Sequence, residues 1–232
     1  MNRATVKLAA VAFAVLCFAT YVVFLEVQAS EASDEQISST AIWNPPAGEL
    51  EQISKTCSPQ ASYTACFIDQ MPNFGASPDA VAFTRSYAEQ NQGRVAFLEG
   101  FRAVDPVDLG YAYFPGDADS NRGWLLLNGT PGIINVDDLG LLPEAEMMKD
   151  PAFAALRGHH PQIKVFNEDR PFETMPPADS PPDGGQWFDI DYQLKDPCRT
   201  CVVLGHASFR FEFDPTGQLA RVRFLKVTPV NP

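Results

Sequence analysis

The stretch 198–227 constrains the fold more than any other, because two alternating segments flank a turn within it. Phe209, Phe211 and Phe213 alternate with polar residues, and this period of two is typical of a strand with one buried face. Residues 214–217 read Asp-Pro-Thr-Gly, in which proline pre-sets φ and glycine accepts a left-handed backbone. The sequence therefore predicts a C-terminal β-hairpin with a four-residue loop.

The length of that loop sets the register of the hairpin. With four loop residues, Phe211 faces Ala220 and Phe209 faces Val222 across the two strands. A loop one residue shorter would place both phenylalanines opposite arginines. We therefore expect the apolar side chains of the hairpin to enter the core and its arginines to stay outside.

Three arginines on the outer face of this hairpin are unusual in a chain that is acidic overall. The predicted register places Arg210 opposite Arg221, with Arg223 next along the strand. Like charges directly opposite each other destabilise a sheet unless something neutralises them. Glu212 can neutralise one of the arginines, so ordinary ion pairs are the simpler interpretation. The alternative hypothesis is that Arg210, Arg221 and Arg223 bind a small anion or an acidic partner.

Length and charge narrow the class of protein. The 232 residues, 45% of them hydrophobic, suffice for one core and a small N-terminal appendage. The formal net charge is −12. Binding to nucleic acid or to anionic lipid headgroups requires concentrated lysine and arginine, so we expect neither as a partner.

The N-terminus has the features of an export signal. Arg3 and Lys7 precede an apolar run at 8–25, and 27–29 ends in a small residue suited to cleavage. We predict a signal peptide at 1–29, which places the mature protein in the periplasm or outside the cell. The apolar run is long for a signal peptide, so an uncleaved anchor at 8–25, with the chain facing the periplasm, is the alternative.

The remainder is predicted to be a polar tether at 30–46 followed by a single α+β domain at 47–232. Its clearest helix starts at Ser77, a capping residue that precedes Pro78 at the first helical position. The proline-rich segment 170–186 is expected to be an exposed loop. We predict an antiparallel β-sheet of about five to seven strands, with N-terminal helices packed on one face and the C-terminal hairpin. The strands before the hairpin are expected at 109–114, 124–127, 133–136, 162–166 and 187–194.

Export leaves four cysteines in an oxidising compartment, where disulfide bonds are the usual state. They are Cys57, Cys66, Cys198 and Cys201. Four cysteines allow three connectivities, and we favour the two local pairs. Cys57 and Cys66 can pair only if the chain turns back at 58–60, because a continuous helix would hold them ~12 Å or more apart.

The Cys-x-x-Cys pair at 198–201 has two other interpretations. A redox dithiol needs its first cysteine at a helix N-terminus, whereas an alternating pattern follows this pair. A zinc site could add His206 and either His159 or His160, although this spacing departs from common zinc patterns. His206 also shares the polar side of the hairpin with Ser208, which would allow a Ser–His contact.

From these observations we expect an exported bacterial envelope protein that acts as a non-enzymatic binding or structural module. Its partner would be a protein or a cell-envelope ligand, without a cofactor or a metal. The alternatives are a hydrolase-type enzyme whose site leaves no motif, or a thiol-redox or zinc-binding protein. A buried pocket with converging polar groups would favour an enzyme, and a shallow polar surface would favour a binding module.

Overall fold

The computed structural model describes residues 36–116, 121–168, 171–182, 184–197 and 201–230. From Ile37 onwards the chain forms one compact unit. Its helices are α1 (Ala47–Cys57), α2 (Tyr63–Gln70), α3 (Pro78–Gln90), α4 (Glu144–Met147) and α5 (Pro151–His159). Its strands are β1 (Phe97–Arg102), β2 (Asp108–Tyr113), β3 (Arg122–Leu127), β4 (Ile133–Asn135), β5 (Lys164–Phe166), β6 (Gln186–Lys195), β7 (Val203–Phe213) and β8 (Leu219–Pro229).

These strands form two antiparallel sheets of four, in the orders β1-β2-β3-β4 and β5-β6-β7-β8. The α+β class, the N-terminal helices and the C-terminal hairpin are confirmed. The prediction of a single sheet with five to seven strands is wrong in its arrangement, since eight strands divide between two sheets. Short polar connections at regular spacing look the same in one sheet and in two, so the sequence did not reveal the division.

The first sheet, β1 to β4, is buried on both faces. One face packs against α3, where Phe83 and Tyr87 contact Leu98 and Leu125. The other face packs against the second sheet. This explains why β2 and β3 are apolar along almost their whole length instead of alternating.

The second sheet, β5 to β8, has one buried face and one face towards solvent. Along β6, buried and more exposed residues alternate for ten positions. The inner face packs against the first sheet and includes Phe188, Ile190, Phe209 and Phe211, all with 0% exposure. The opposite face is called the outer face below.

The predicted cap of α3 is confirmed. Ser77 Oγ accepts a hydrogen bond from the Ala80 backbone N–H at 3.0 Å, and Pro78 is the first helical residue. Gly93, just beyond the helix, has φ of +82°, the left-handed conformation that glycine adopts without strain. Local chemistry was sufficient to define this helix because its start and stop signals lie within the segment itself.

Buried polar contacts join the two sheets at one end. Gln186 of β6 accepts a hydrogen bond from Val107 N–H at 2.8 Å and donates one to Val107 C=O at 2.9 Å. Nearby, Thr130 exchanges backbone hydrogen bonds with Gly217 C=O at 2.8 Å and Leu219 N–H at 2.9 Å. The hairpin is therefore held to the first sheet by hydrogen bonds as well as by apolar packing.

Two segments predicted to lie outside the core belong partly to it. The second half of the expected tether packs on the helices and the first sheet, with Trp43 only 4% exposed. The backbone N–H of Trp43 also donates a hydrogen bond to Leu98 C=O of β1 at 2.8 Å. In the expected loop at 170–186, Met175 is buried in the core between the sheets. Polar composition was misleading in both places because single large side chains anchor otherwise polar segments.

The hairpin has the predicted faces but a different register. Phe211 lies opposite Val222, and Phe209 lies opposite Phe224. Between Phe209 and Glu212 the ladder is thus shifted by two residues from the predicted pairing, and beyond a second bulge, between Ser208 and Phe209, it is shifted by three. A shift of two preserves the face of the side chains from Phe209 to Glu212, because successive side chains in a strand alternate.

The shift arises at the turn. The last ladder pair is Phe213 with Leu219, and a bulge precedes it, so the loop is one residue longer than predicted. Asp214 closes this loop by donating its N–H to Gln218 C=O at 3.0 Å and by accepting a hydrogen bond from Gln218 N–H. Gln218 in turn forms a β-bridge with Thr130, a residue far away in sequence.

Candidate functional site

The outer face of the second sheet carries the three arginines singled out by the sequence. Arg210 lies on β7 directly opposite Arg223 of β8, not opposite Arg221 as predicted. The two-residue shift of the ladder accounts for this correction. All three side chains remain on the outer face, and we call Arg210, Arg221 and Arg223 the arginine face.

Arg210 is the least exposed member of this set, with a side chain 18% exposed. Its Nε and Nη2 atoms donate to the two carboxylate oxygens of Asp189 at 2.6 and 2.7 Å. Its guanidinium lies over the ring of Trp187, 4.1 Å from the centroid. The hydrogen bond to Asp189 raises the pKa of Arg210 above its ordinary value. Paired and stacked in this way, the guanidinium is held in one orientation.

Arg221 and Arg223 share a single carboxylate. Arg221 Nε donates to one oxygen of Glu212 at 2.6 Å, and Arg223 Nε lies 2.9 Å from the other. The side chain of Glu212 is 16% exposed, whereas those of Arg221 and Arg223 are 63% and 42% exposed. Asp189 and Glu212 pair directly with the three guanidinium groups, and Asp179 adds negative charge near Arg210. The two most exposed guanidinium groups lie on β8.

Asp189 and Trp187 were missed as site residues, although the sequence contained the signal. The segment WFDIDYQL alternates, which places Trp187, Asp189 and Asp191 on the same side of β6. What the sequence did not supply is that β6 is the neighbour of β7 and that Asp189 lies opposite Arg210.

The cysteines form disulfide bonds where the structure describes them. Cys57 pairs with Cys66, with 5.5 Å between their Cα atoms. The chain turns back at 58–60 as this pairing requires, and Gln60 N–H donates to Cys57 C=O at 2.9 Å. Cys201 is also disulfide-bonded, and Cys198 lies outside the described residues. A bonded Cys201 has no free thiolate to bind zinc, whereas a disulfide is also the oxidised form of a redox dithiol.

The polar hairpin residues do not form the Ser–His contact considered from the sequence. Ser208 instead donates its hydroxyl to Asp191 across the strand pair. Another histidine, His160, pairs with Asp196 at 2.9 Å between Nδ1 and Oδ2, and the two side chains are 34% and 39% exposed. Within the described ranges, no hydroxyl or thiol is hydrogen-bonded to the other ring nitrogen of His160.

An open concavity of about 570 Å³ lies on the surface beside α4. Glu144 is the one ionisable side chain in its lining, so polar groups do not converge there. Among the residues with described positions, no group of three or more His, Cys, Asp or Glu side chains could hold a metal ion. The lining residues are Leu139, Gly140, Leu142, Pro143, Glu144 and Ala145.

No protein-family model, no curated protein and no solved structure matches this chain. No helix within the described part of the chain is long and apolar enough to cross a membrane.

Proposed function

We propose that this is an exported, non-enzymatic binding module that contacts an anionic partner through the arginine face. The observation that carries the proposal is the exposed arginine pair on β8: Arg221 and Arg223 share the single carboxylate of Glu212, and their side chains are 63% and 42% exposed. The partner would be a protein or a cell-envelope ligand, located in the periplasm or outside the cell.

The placement of the arginines supports binding better than it supports stability. Arg210 and Arg223 are directly opposite each other, and Asp189 and Glu212 offset the repulsion that this arrangement would cause in a sheet. Exposed ion pairs such as Arg221 with Glu212 contribute only about 0–1 kcal/mol. In a chain with a net charge of −12, a local group of positive charges can steer an anionic partner to this face.

Disulfide bonding supports the export part of the proposal. The Cys57–Cys66 bond is of a kind that persists in oxidising compartments. With the signal-like segment at 1–29, this favours a periplasmic or secreted protein, and anchoring through 8–25 is the alternative. Intact-mass measurement on the protein recovered from the envelope tests this step, and a mass that retains 1–29 would establish the anchored form.

Binding is tested with dextran sulfate, a polyanion without sequence preference, in an anisotropy titration of the full chain at 50 and 200 mM salt. We expect saturable, salt-sensitive binding that the double variant Arg221→Glu/Arg223→Glu weakens at least tenfold. The control is Lys164→Glu, a charge reversal at an exposed position on the opposite edge strand β5. Equal binding by the wild type and the double variant would refute the assignment of the arginine face.

A further inference from the structure

Strand β8 lies at an edge of the second sheet and pairs with β7 along one side only. On its other side, Thr130 forms two backbone hydrogen bonds in β-geometry, to Gly217 C=O and from Leu219 N–H. Past Leu219, within the described residues, no backbone hydrogen bond joins that side of β8 to another element. The free side of β8 therefore pairs with a single residue of its own chain, Thr130. Among the described residues, the rest of that side has no backbone partner.

The unpaired part of β8 is long and carries several exposed residues, and helices α4 and α5 also contact this strand. It covers ten residues, 220–229, which at about 3.3 Å per residue extends ~30 Å. Val227 is the one buried residue in this stretch, whereas Arg221, Lys226 and Thr228 are exposed. Edge strands of this length are usually shortened, covered or protected by charge, because their free N–H and C=O groups pair with other strands.

On the outer face the middle of β6 is acidic and the edge strand β8 is basic, while β6 ends with Lys195. Acidic side chains, Asp189 and Asp191, lie on β6, while Arg221, Arg223 and Lys226 lie on the edge strand. A second copy of β8 placed against this edge would bring like charges together, which disfavours self-pairing. An incoming strand with acidic side chains on the same side would pair favourably with all three basic residues.

The inner side of β8 indicates which side chains a partner strand should carry on its other face. Val222 and Phe224 pack against the core between the sheets but are only partly buried. An incoming strand projects alternate side chains to this side, where apolar residues would cover what Val222 and Phe224 leave exposed. The edge thus suits a segment in which acidic and apolar residues alternate.

We infer that β8 binds an extended acidic peptide segment by strand addition, as a further strand of the second sheet beyond Thr130. This inference rests on the proposed function and names the partner class. Backbone hydrogen bonds to β8 supply affinity, and Arg221 and Arg223 select acidic residues two positions apart. Lys226, beyond the bulge at Leu225, supplies a third basic side chain on the same face.

The test uses a fluorescein-labelled peptide of alternating valine and glutamate, seven residues long, with blocked termini, titrated into the full chain. Two further peptides carry backbone N-methyl groups, one at all the odd positions and the other at all the even positions. In a strand, one set of N–H groups faces β8 and the other faces away. We expect one methylated peptide to bind at least tenfold more weakly than the parent, and the other to bind within about threefold of it.

Variants of the protein test which of its side chains bind the peptide. Arg221→Glu/Arg223→Glu should weaken binding of the parent peptide at least tenfold, and Lys164→Glu should leave it within twofold. Equal affinities for both methylated peptides and the parent would overturn strand addition while leaving an anion-binding face intact. Failure of the peptide, together with arginine-dependent binding of dextran sulfate, would also overturn strand addition alone. If neither probe binds, the proposed function fails as well.

Discussion

Replacing Gln186 with methionine should lower the stability of the protein more than most single substitutions do. The side-chain amide satisfies both the N–H and the C=O of Val107, and these two residues are 2% and 0% exposed. Methionine keeps the length of the side chain but can neither donate nor accept strongly. Each backbone group left buried without a partner costs about 1–3 kcal/mol, so we expect a loss of about 2–6 kcal/mol.

Urea denaturation of the purified chain measures this loss. With an m value of about 2 kcal/mol/M, the unfolding midpoint of Gln186→Met should fall by about 1–3 M. The matched control is Gln193→Met on the same strand, where the residue is half-buried on the outer face. Its stability should change by less than about 0.5 kcal/mol, since surface substitutions usually do.

In a second variant, Gln186→Glu, the stability of the protein should depend on pH. A neutral carboxyl can accept from Val107 N–H and donate to Val107 C=O, as the amide does, whereas a carboxylate cannot donate. Burial raises the pKa of the introduced carboxyl in the folded state above its unfolded value of about 4.3. The stability it contributes is therefore present below about pH 4 and is lost as pH rises through the raised folded value.

We expect Gln186→Glu to approach the wild type at low pH and Gln186→Met at neutral pH. Midpoints measured every half unit of pH would show this convergence. The reasoning is refuted if Gln186→Met behaves like Gln193→Met, or if the difference between Gln186→Glu and the wild type is the same at all pH values. Either result would mean that water or a rearranged backbone satisfies Val107 without the amide.

Three further predictions concern the core, the turn and the disulfide. Phe211→Ala should cost about 3–5 kcal/mol in urea denaturation, because the side chain has 0% exposure, whereas Arg221→Ala should cost under about 1 kcal/mol; the reverse order would mean that the faces are exchanged. The Thr216 hydroxyl and backbone N–H groups hold the pKa of Asp214 below its ordinary value, so its stabilising effect is present above the unfolded pKa and lost as pH falls through the lowered one. An NMR titration showing the carboxyl of Asp214 at or above its ordinary pKa would contradict this. Replacing Cys57 and Cys66 together with alanine should cost about 3 kcal/mol, since the bond closes a loop of nine residues' separation, and an unchanged urea midpoint would show that the bond adds no stability.

The sequence by itself determined the features whose signals are local. The cap at Ser77, the turn residues from Asp214 and the alternation of β6, β7 and β8 were all readable. Alternation fixed which side chains of the hairpin are buried between Phe209 and Glu212, even though the predicted register there was wrong by two residues. The faces survived that error because a shift of two leaves the side-chain period unchanged.

The tertiary structure alone decided which segments are neighbours. The hairpin register depends on the bridge between Gln218 and Thr130. The orientation of the Arg210 side chain depends on its ion pair with Asp189 of the adjacent strand. The clamp of Gln186 on Val107 joins positions 79 residues apart. No local pattern encodes such pairings, because a polar residue that will meet a buried backbone group looks the same in sequence as one that will face water. Packing of the two sheets brings Gln186 to Val107 and Gln218 to Thr130, whereas strand pairing within the second sheet forms the arginine face.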